Sequence, residues 1–194
     1  MKKFFFDIKH AIESSVQTKQ FILNDNLLVG RIEEAINRCV DSLRDGGKIW
    51  FAGNGGSAAD AQHLAAELSG RFYIDRKPLP AEALHVNSSF LTAAANDYGY
   101  DKAYARLIEG CAHQGDVLVA ISTSGNSTNI VEAAKTARSQ GVYVIALTGE
   151  SGGKLCKHCD LLLNVPSKDT PRIQECHVMI GHILCENIEK ELFG

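Results

Sequence analysis

The order of apolar and polar positions divides the chain into alternating helical and extended segments. Over 4–25 and 27–45 the apolar side chains recur at helical spacing. Ile32, Ala35, Ile36, Cys39, Val40 and Leu43 make one stripe. Gly46-Gly47 ends the second helix. KIWFAG, 48–53, predicts a short buried strand, followed by a glycine turn and a helix over 57–70. A proline-containing connection, 71–80, leads to a second strand over EALHV, 82–86. Helices are expected around 88–96 and 101–113. DVLVAIS, 116–122, and VYVIALT, 142–148, are continuous apolar runs, as in a parallel sheet covered on both faces. Between them TSGNS opens a helix over 129–140. A short helical piece, a strand over DLLLNVP, 160–166, and a long helix from Pro171 onward complete the pattern.

Strands alternating with helices make βαβ units, hence a mostly parallel sheet with helices on both faces. The first two helices precede every strand. They cannot be crossovers, so they must pack elsewhere or against a partner chain. With no repeat, linker or low-complexity tract, residues 1–194 read as one domain. Composition agrees: 45% apolar and 22% charged residues suit a globular protein. A net charge of -3 argues against nucleic acid or anionic membrane as a general partner. MKKFFFDIKH is too short an apolar run for a signal peptide, and Asp7 ends it. No run approaches the ~20 apolar residues a membrane span needs. A cytoplasmic location is expected. Cys39, Cys111, Cys156, Cys159, Cys176 and Cys185 then read as reduced thiols. Cys156 and Cys159 form a lone C-x-x-C, with no second pair to complete a zinc site.

In parallel α/β sheets, ligands bind beyond the carboxyl ends of the strands. Two loops expected there have unusual compositions. STSGNS places Ser122, Thr123, Ser124 and Ser127 at a strand-to-helix junction. Four hydroxyls in six residues exceed what an N-cap needs, and the following helix adds free N–H groups and its positive dipole end. A phosphate fits there without lysine or arginine. GNGGSA, 53–58, matches the dinucleotide fingerprint, but the second strand ends in HVNSS with no carboxylate for a ribose. No G-K-[ST] occurs, so a Walker loop is excluded. On the helix after the glycine turn, His63 and Glu67 stand four apart and share a face. Spacing alone reads them as a surface contact. On the last helix Gln174, Glu175, His177 and His182 are the polar candidates. Glu175 aligns with His182 better than Gln174 does.

Four separated motifs then occur in one order: FAGNGGSAADAQHLAAELSGRF, ANDYGYD, GDVLVAISTSGNS and TPRIQECHVMIGHILCENIE. Together they resemble the phosphoheptose isomerases of the sugar isomerase (SIS) domain family, over essentially the whole chain. The resemblance implies a flavodoxin-like, three-layer α/β/α sandwich with a five-stranded parallel sheet and two extra N-terminal helices. It implies a homotetramer with active sites between subunits, and the first step of heptose synthesis for surface glycans. It implies one zinc ion per subunit, held by His63, Glu67, Gln174 and His182, with Glu67 and His182 moving protons. It is the resemblance, not the spacing, that selects Gln174 over Glu175. Asn54, Gly55, Gly56, Ser57, Glu67, Asn96, Asp97, Ser122, Thr123, Ser124, Ser127 and Gln174 match its substrate contacts. The chemistry is consistent: a carboxylate takes the proton beside a carbonyl, and a cation steadies the enediolate oxygen. The alternative is a non-catalytic SIS module that binds a sugar phosphate or a replication-initiator protein. Such relatives lack the counterparts of Glu67 and His182, which this chain retains.

Overall fold

Two aspartates start the leading helices. In the computed structural model, which describes residues 7–194, the Asp7 carboxylate accepts from the His10 N–H at the head of α1 (Ile8–Asn24). Asp25 accepts from the Leu27 and Leu28 N–H groups at the head of α2 (Asn26–Arg44). Both satisfy helix N–H groups that otherwise have no partner. The α2 stripe from Ile32 to Val40 is buried, as its spacing predicts. The α1 stripe is not: Ile8, Ile12 and Val16 are 67, 59 and 60% exposed. Phe4 and Phe5, at the start of the segment expected to be helical over 4–25, lie outside the described residues.

The sheet holds β1 (Ile49–Ala52), β2 (Ala81–Ala83), β3 (Val117–Ile121), β4 (Tyr143–Thr148) and β5 (Leu161–Asn164). All pairs are parallel and the order is β2-β1-β3-β4-β5. The crossovers are α3 (Gly56–Ser69), then α4 (Ser88–Tyr98) with α5 (Tyr100–Cys111), then α6 (Thr128–Ser139), then a short 3-10 turn, Leu155–Lys157. The last helix is α7 (Thr170–Phe193). Alternate strand residues enter two cores. Ile49, Phe51, Val119 and Ile145 meet α2, α3 and α7, while Trp50, Ala52, Leu118 and Val144 meet α5 and α6. This is the expected three-layer α/β/α sandwich.

The second strand is shorter than its sequence suggests. EALHV was expected to run 82–86, but the ladder stops at Ala83 after three residues. This is an edge strand paired only with β1, whose own ladder ends at Ala52. After Leu84 donates to the Phe51 carbonyl, the chain turns toward Asn87, which caps α4 through the Phe90 N–H. Elsewhere the expected elements stand within a few residues of their predicted bounds.

Strand order reverses between β1 and β3, so their following loops diverge and open a crevice. That is the binding position of doubly wound folds. The glycine turn and STSGNS flank it.

Candidate active site

The first cluster depends on how closely α3 and α7 approach. They run side by side in the same direction, with Gly181 meeting Leu64 and the Cys185 thiol meeting the Leu64 carbonyl. A methyl group on Gly181 would come within 2.4 Å of Leu64 Cδ1. The missing side chain therefore sets the helix separation, and the next residue, His182, comes over α3. His182 Nε2 lies 2.8 Å from His63 Nε2, and His63 Nε2 lies 3.4 Å from Glu67 Oε1. The two imidazoles meet edge to face. One ligand atom from each of the three residues falls within 4.8 Å of the other two. Among the described residues this is the only such group of His, Cys, Asp and Glu. Leu64 and Leu68, beside the pair on α3, are fully buried. Asp60 stands one turn earlier. Burial raises its carboxyl pKa, while His63 and His182 pull the other way.

Gln174, the fourth residue of the motif match, stands nearer the start of α7. It precedes His182 by eight residues, about 12 Å along a helix. Its amide rests on Gly56, where a methyl group would approach its nitrogen to 2.6 Å.

The second cluster is the loop after β3. Ser122 is buried and its hydroxyl donates to Ser127 Oγ at 3.1 Å. Ser124 Oγ accepts from the Asn126 N–H. Ser127 heads α6 but makes no side-chain cap, so the first-turn N–H groups keep their positive end toward the loop. Segment 149–155 clamps the loop from behind: Gly149 N–H donates to Thr123 O, and Leu155 N–H to Gly125 O. Gly125 adopts φ 64°, and a side chain there would strike the Gly152 carbonyl at 2.1 Å. A cleft of about 350 Å³ opens beside Thr123, Ser124, Asn126, Gly149 and Thr170.

Asn54 joins the two switch-point loops. Its amide and that of Asn129 exchange hydrogen bonds of 2.8 Å in both directions. The Tyr100 hydroxyl donates to Asn54 Oδ1, and the Tyr104 hydroxyl to the Gly53 carbonyl. Asn129 and the two tyrosines were not among the sequence candidates. Asn129 lies in GNSTN and Tyr100 in DYGYD, while Tyr104 lies one helical turn beyond that motif. Ser57 is buried in the first turn of α3. Asn96 and Asp97 are exposed on the last turn of α4 and bond to each other, with Tyr100 as their neighbour toward the crevice.

A doubly wound sheet with a hydroxyl loop at its switch point, and a His/Glu/His cluster on adjoining helices, defines a SIS-type sugar-phosphate protein. The SIS domain family model matches residues 22–149. A phosphoheptose isomerase of Mycobacterium tuberculosis is 54% identical over 180 residues, covering 93% of this chain and 92% of its own length. One from Sulfurimonas denitrificans is 50% identical over 194 residues, covering 100% and 98%. The solved phosphoheptose isomerase of Neisseria gonorrhoeae superposes with TM-score 0.89 at 42% identity, covering 94% of this chain and 97% of that one. That of Francisella tularensis gives 0.91 at 39%, covering 94% and 96%. The chain belongs to the phosphoheptose isomerases of the SIS domain family.

Proposed function

We propose that the chain interconverts sedoheptulose 7-phosphate and D-glycero-D-manno-heptose 7-phosphate through an enediolate. The observation that carries this reading is the meeting of His63, Glu67 and His182 at one point on α3 and α7. Glu67 is the base that takes the proton from the carbon beside the carbonyl and returns it to the neighbouring carbon. His182 moves the proton between the two oxygens. The hydroxyls of Ser122, Thr123, Ser124 and Ser127 hold the phosphate, whose binding energy keeps the reacting carbons in place. Asn54, Gly55, Gly56, Ser57 and Gln174 line the path between, and Asn96 and Asp97 close it from α4.

The donor set fits zinc: two imidazole nitrogens and one carboxylate oxygen are the ligands a three-residue catalytic site uses. We assign one ion per subunit to His63, Glu67 and His182. Gln174, whose amide packs on Gly56, is the fourth ligand the motif match offers and also a substrate contact. Held by these residues, such an ion would supply Lewis-acid stabilisation of the developing oxygen charge. Turnover of sedoheptulose 7-phosphate by the purified protein, with metal content measured alongside, tests the reading. Binding without turnover would make the chain a non-catalytic module.

The N-terminal helices support a homotetramer with sites between subunits. Besides the exposed α1 stripe, a 590 Å³ apolar groove runs between α1, α2 and α7, lined by Val16, Leu23, Val29, Met179 and Ile183. A second copy of the chain is the occupant we assign to it. Light scattering that reports a stable monomer at micromolar concentration would contradict this. No helix among the described residues is long and apolar enough to cross a membrane. We assign the enzyme to the cytoplasm, because a phosphorylated sugar does not cross a membrane unaided.

A further inference from the structure

One ion pair is almost wholly buried. The side chains of Arg76 and Glu189 are 2% and 1% exposed, with Arg76 Nε 2.8 Å from Glu189 Oε1. Isolated buried pairs add little stability, because desolvation offsets attraction. This pair is saturated with further bonds. Glu189 accepts from the Phe72, Tyr73 and Ile74 N–H groups at 3.2, 2.7 and 3.0 Å. Burial pushes the Glu189 carboxyl pKa up, but those N–H groups and Arg76 outweigh it and hold it below the usual carboxylate range. Arg76 donates to the carbonyls of Glu67, Leu68, Gly70 and Lys77.

Two of these bonds lead to the cluster. Arg76 Nη2 holds the Glu67 carbonyl at 3.0 Å, fixing the backbone from which the proposed base projects. Glu189 fixes the backbone of Phe72, whose ring lies 5.8 Å from the His182 ring, tilted by 33°. Glu189 itself is two turns beyond His182 on α7. The pair therefore ties the end of α3 to α7 behind both proton-handling residues. It touches neither their side chains nor the crevice.

We propose that Arg76 and Glu189 are positioning residues for the isomerisation, setting Glu67 through its carbonyl and His182 through Phe72. This rests on the isomerase reading, and the test separates the two. The conservative variant is Arg76→Lys, which keeps the charge but cannot reach four carbonyls from one planar fork. The stability control is Trp50→Phe. It breaks the buried Trp50 Nε1–Asp116 bond at the far end of the sheet and leaves the cluster untouched.

The readouts are steady-state kinetics and the imidazole ring signals of His63 and His182 in the NMR spectrum of the metal-free protein. In Arg76→Lys, kcat should fall about tenfold with KM within about twofold, the pattern of lost positioning rather than lost binding. Both imidazole signals should shift. In Trp50→Phe, melting should fall while kcat and those signals stay put. Unmoved imidazole signals in Arg76→Lys would overturn the proposal, whatever the kinetics. A wild type that turns nothing over would instead sink the isomerase reading and leave the signals to judge this one. If Arg76→Lys does not fold, Phe72→Leu decides: it keeps an apolar side chain but removes the ring beside His182. In Phe72→Leu kcat should then fall severalfold with KM within about twofold, and an unchanged kcat overturns the proposal.

Discussion

The two halves of the proposed site are built in opposite ways. The His63, Glu67 and His182 cluster consists of half-exposed side chains standing on two stiff helices. Their geometry is set from behind, by Gly181 against Leu64 and by the Arg76–Glu189 pair. The hydroxyl loop after β3 is set by its own backbone, bonded to segment 149–155 at Thr123, Gly125 and Asn126. Chemistry at a carbon needs a particular atom at a particular place, and rigid helices deliver that. A phosphate presents several equivalent oxygens, and a ring of N–H and hydroxyl donors meets them without fine adjustment. The two regions should therefore fail differently, one in kcat and the other in affinity.

The largest expected effect tests the first half of that statement. Glu67→Gln keeps size and shape and removes charge and basicity. Turnover should fall on the order of a hundredfold or more, with substrate affinity retained. The wild type should exchange the carbon-bound hydrogen of the substrate with deuterium from solvent, unless the base shields its proton, and the variant should not. Metal content must be compared in both proteins, since a lost ion would imitate a lost base. Near-normal turnover would remove Glu67 and leave His182 as the candidate.

A link between the regions carries the next effect. His177 on α7 is completely buried, and its Nε2 lies 3.1 Å from the Thr148 carbonyl at the end of β4. Burial lowers its pKa to about 4, against a smaller opposing effect of that carbonyl. The folded value is below the unfolded one, so the unfolded chain binds the extra proton first. Stability should fall as pH drops from about 6.5 to about 4, by about 3 kcal/mol in full. His177→Gln should flatten this limb in urea titrations at several pH values. Parallel curves for the two proteins would assign the acid limb to other groups.

Gly181→Ala probes the helix approach directly. Its added carbon, 2.4 Å from Leu64 Cδ1, meets a fully buried side chain with no room to swing. The helices must part, at about 1–3 kcal/mol of stability. His182 moves with α7, and kcat should fall about tenfold while phosphate affinity holds. A variant with wild-type kcat would mean that the cluster tolerates looser spacing than the comparison assumes.

Much of this was legible beforehand, for physical reasons. Continuous apolar runs such as VLVAI mark strands buried on both faces, and Leu64 and Leu68 fix which side of α3 faces the core. His63 and Glu67 could be paired from helical geometry. Their meeting with His182 could not, because it depends on a crossing set by one glycine 117 residues beyond Leu64. The motif resemblance supplied both His182 and Gln174. The Asn54–Asn129 amide pair was equally invisible: nothing in a strand-end loop announces which distant side chain it will face. The edge strand was overread, since β-like composition continues past the point where β1 has backbone left to pair.

The smallest expected effect bears on the second half of the comparison. Ser124 Oγ holds the Asn126 N–H, and Ser122 Oγ donates to Ser127, so both hydroxyls stiffen the loop. Replacing either by alanine removes one donor to a phosphate and should weaken phosphate-bearing ligands by roughly 1–2 kcal/mol. The fold should survive, because the loop backbone is bonded independently to segment 149–155. The informative quantity is the split: KM and competition by inorganic phosphate should move, while kcat stays within about twofold. Loss of kcat at constant KM would mean that the loop also positions the reacting carbons, and the division of labour would fail. Unchanged affinity in both variants would move the phosphate out of this loop altogether. The nearest other hydroxyl-lined surface is the far wall of the same cleft, at Ser151, Ser167 and Thr170. Alanine at Thr170 would then show the loss that Ser122 and Ser124 did not.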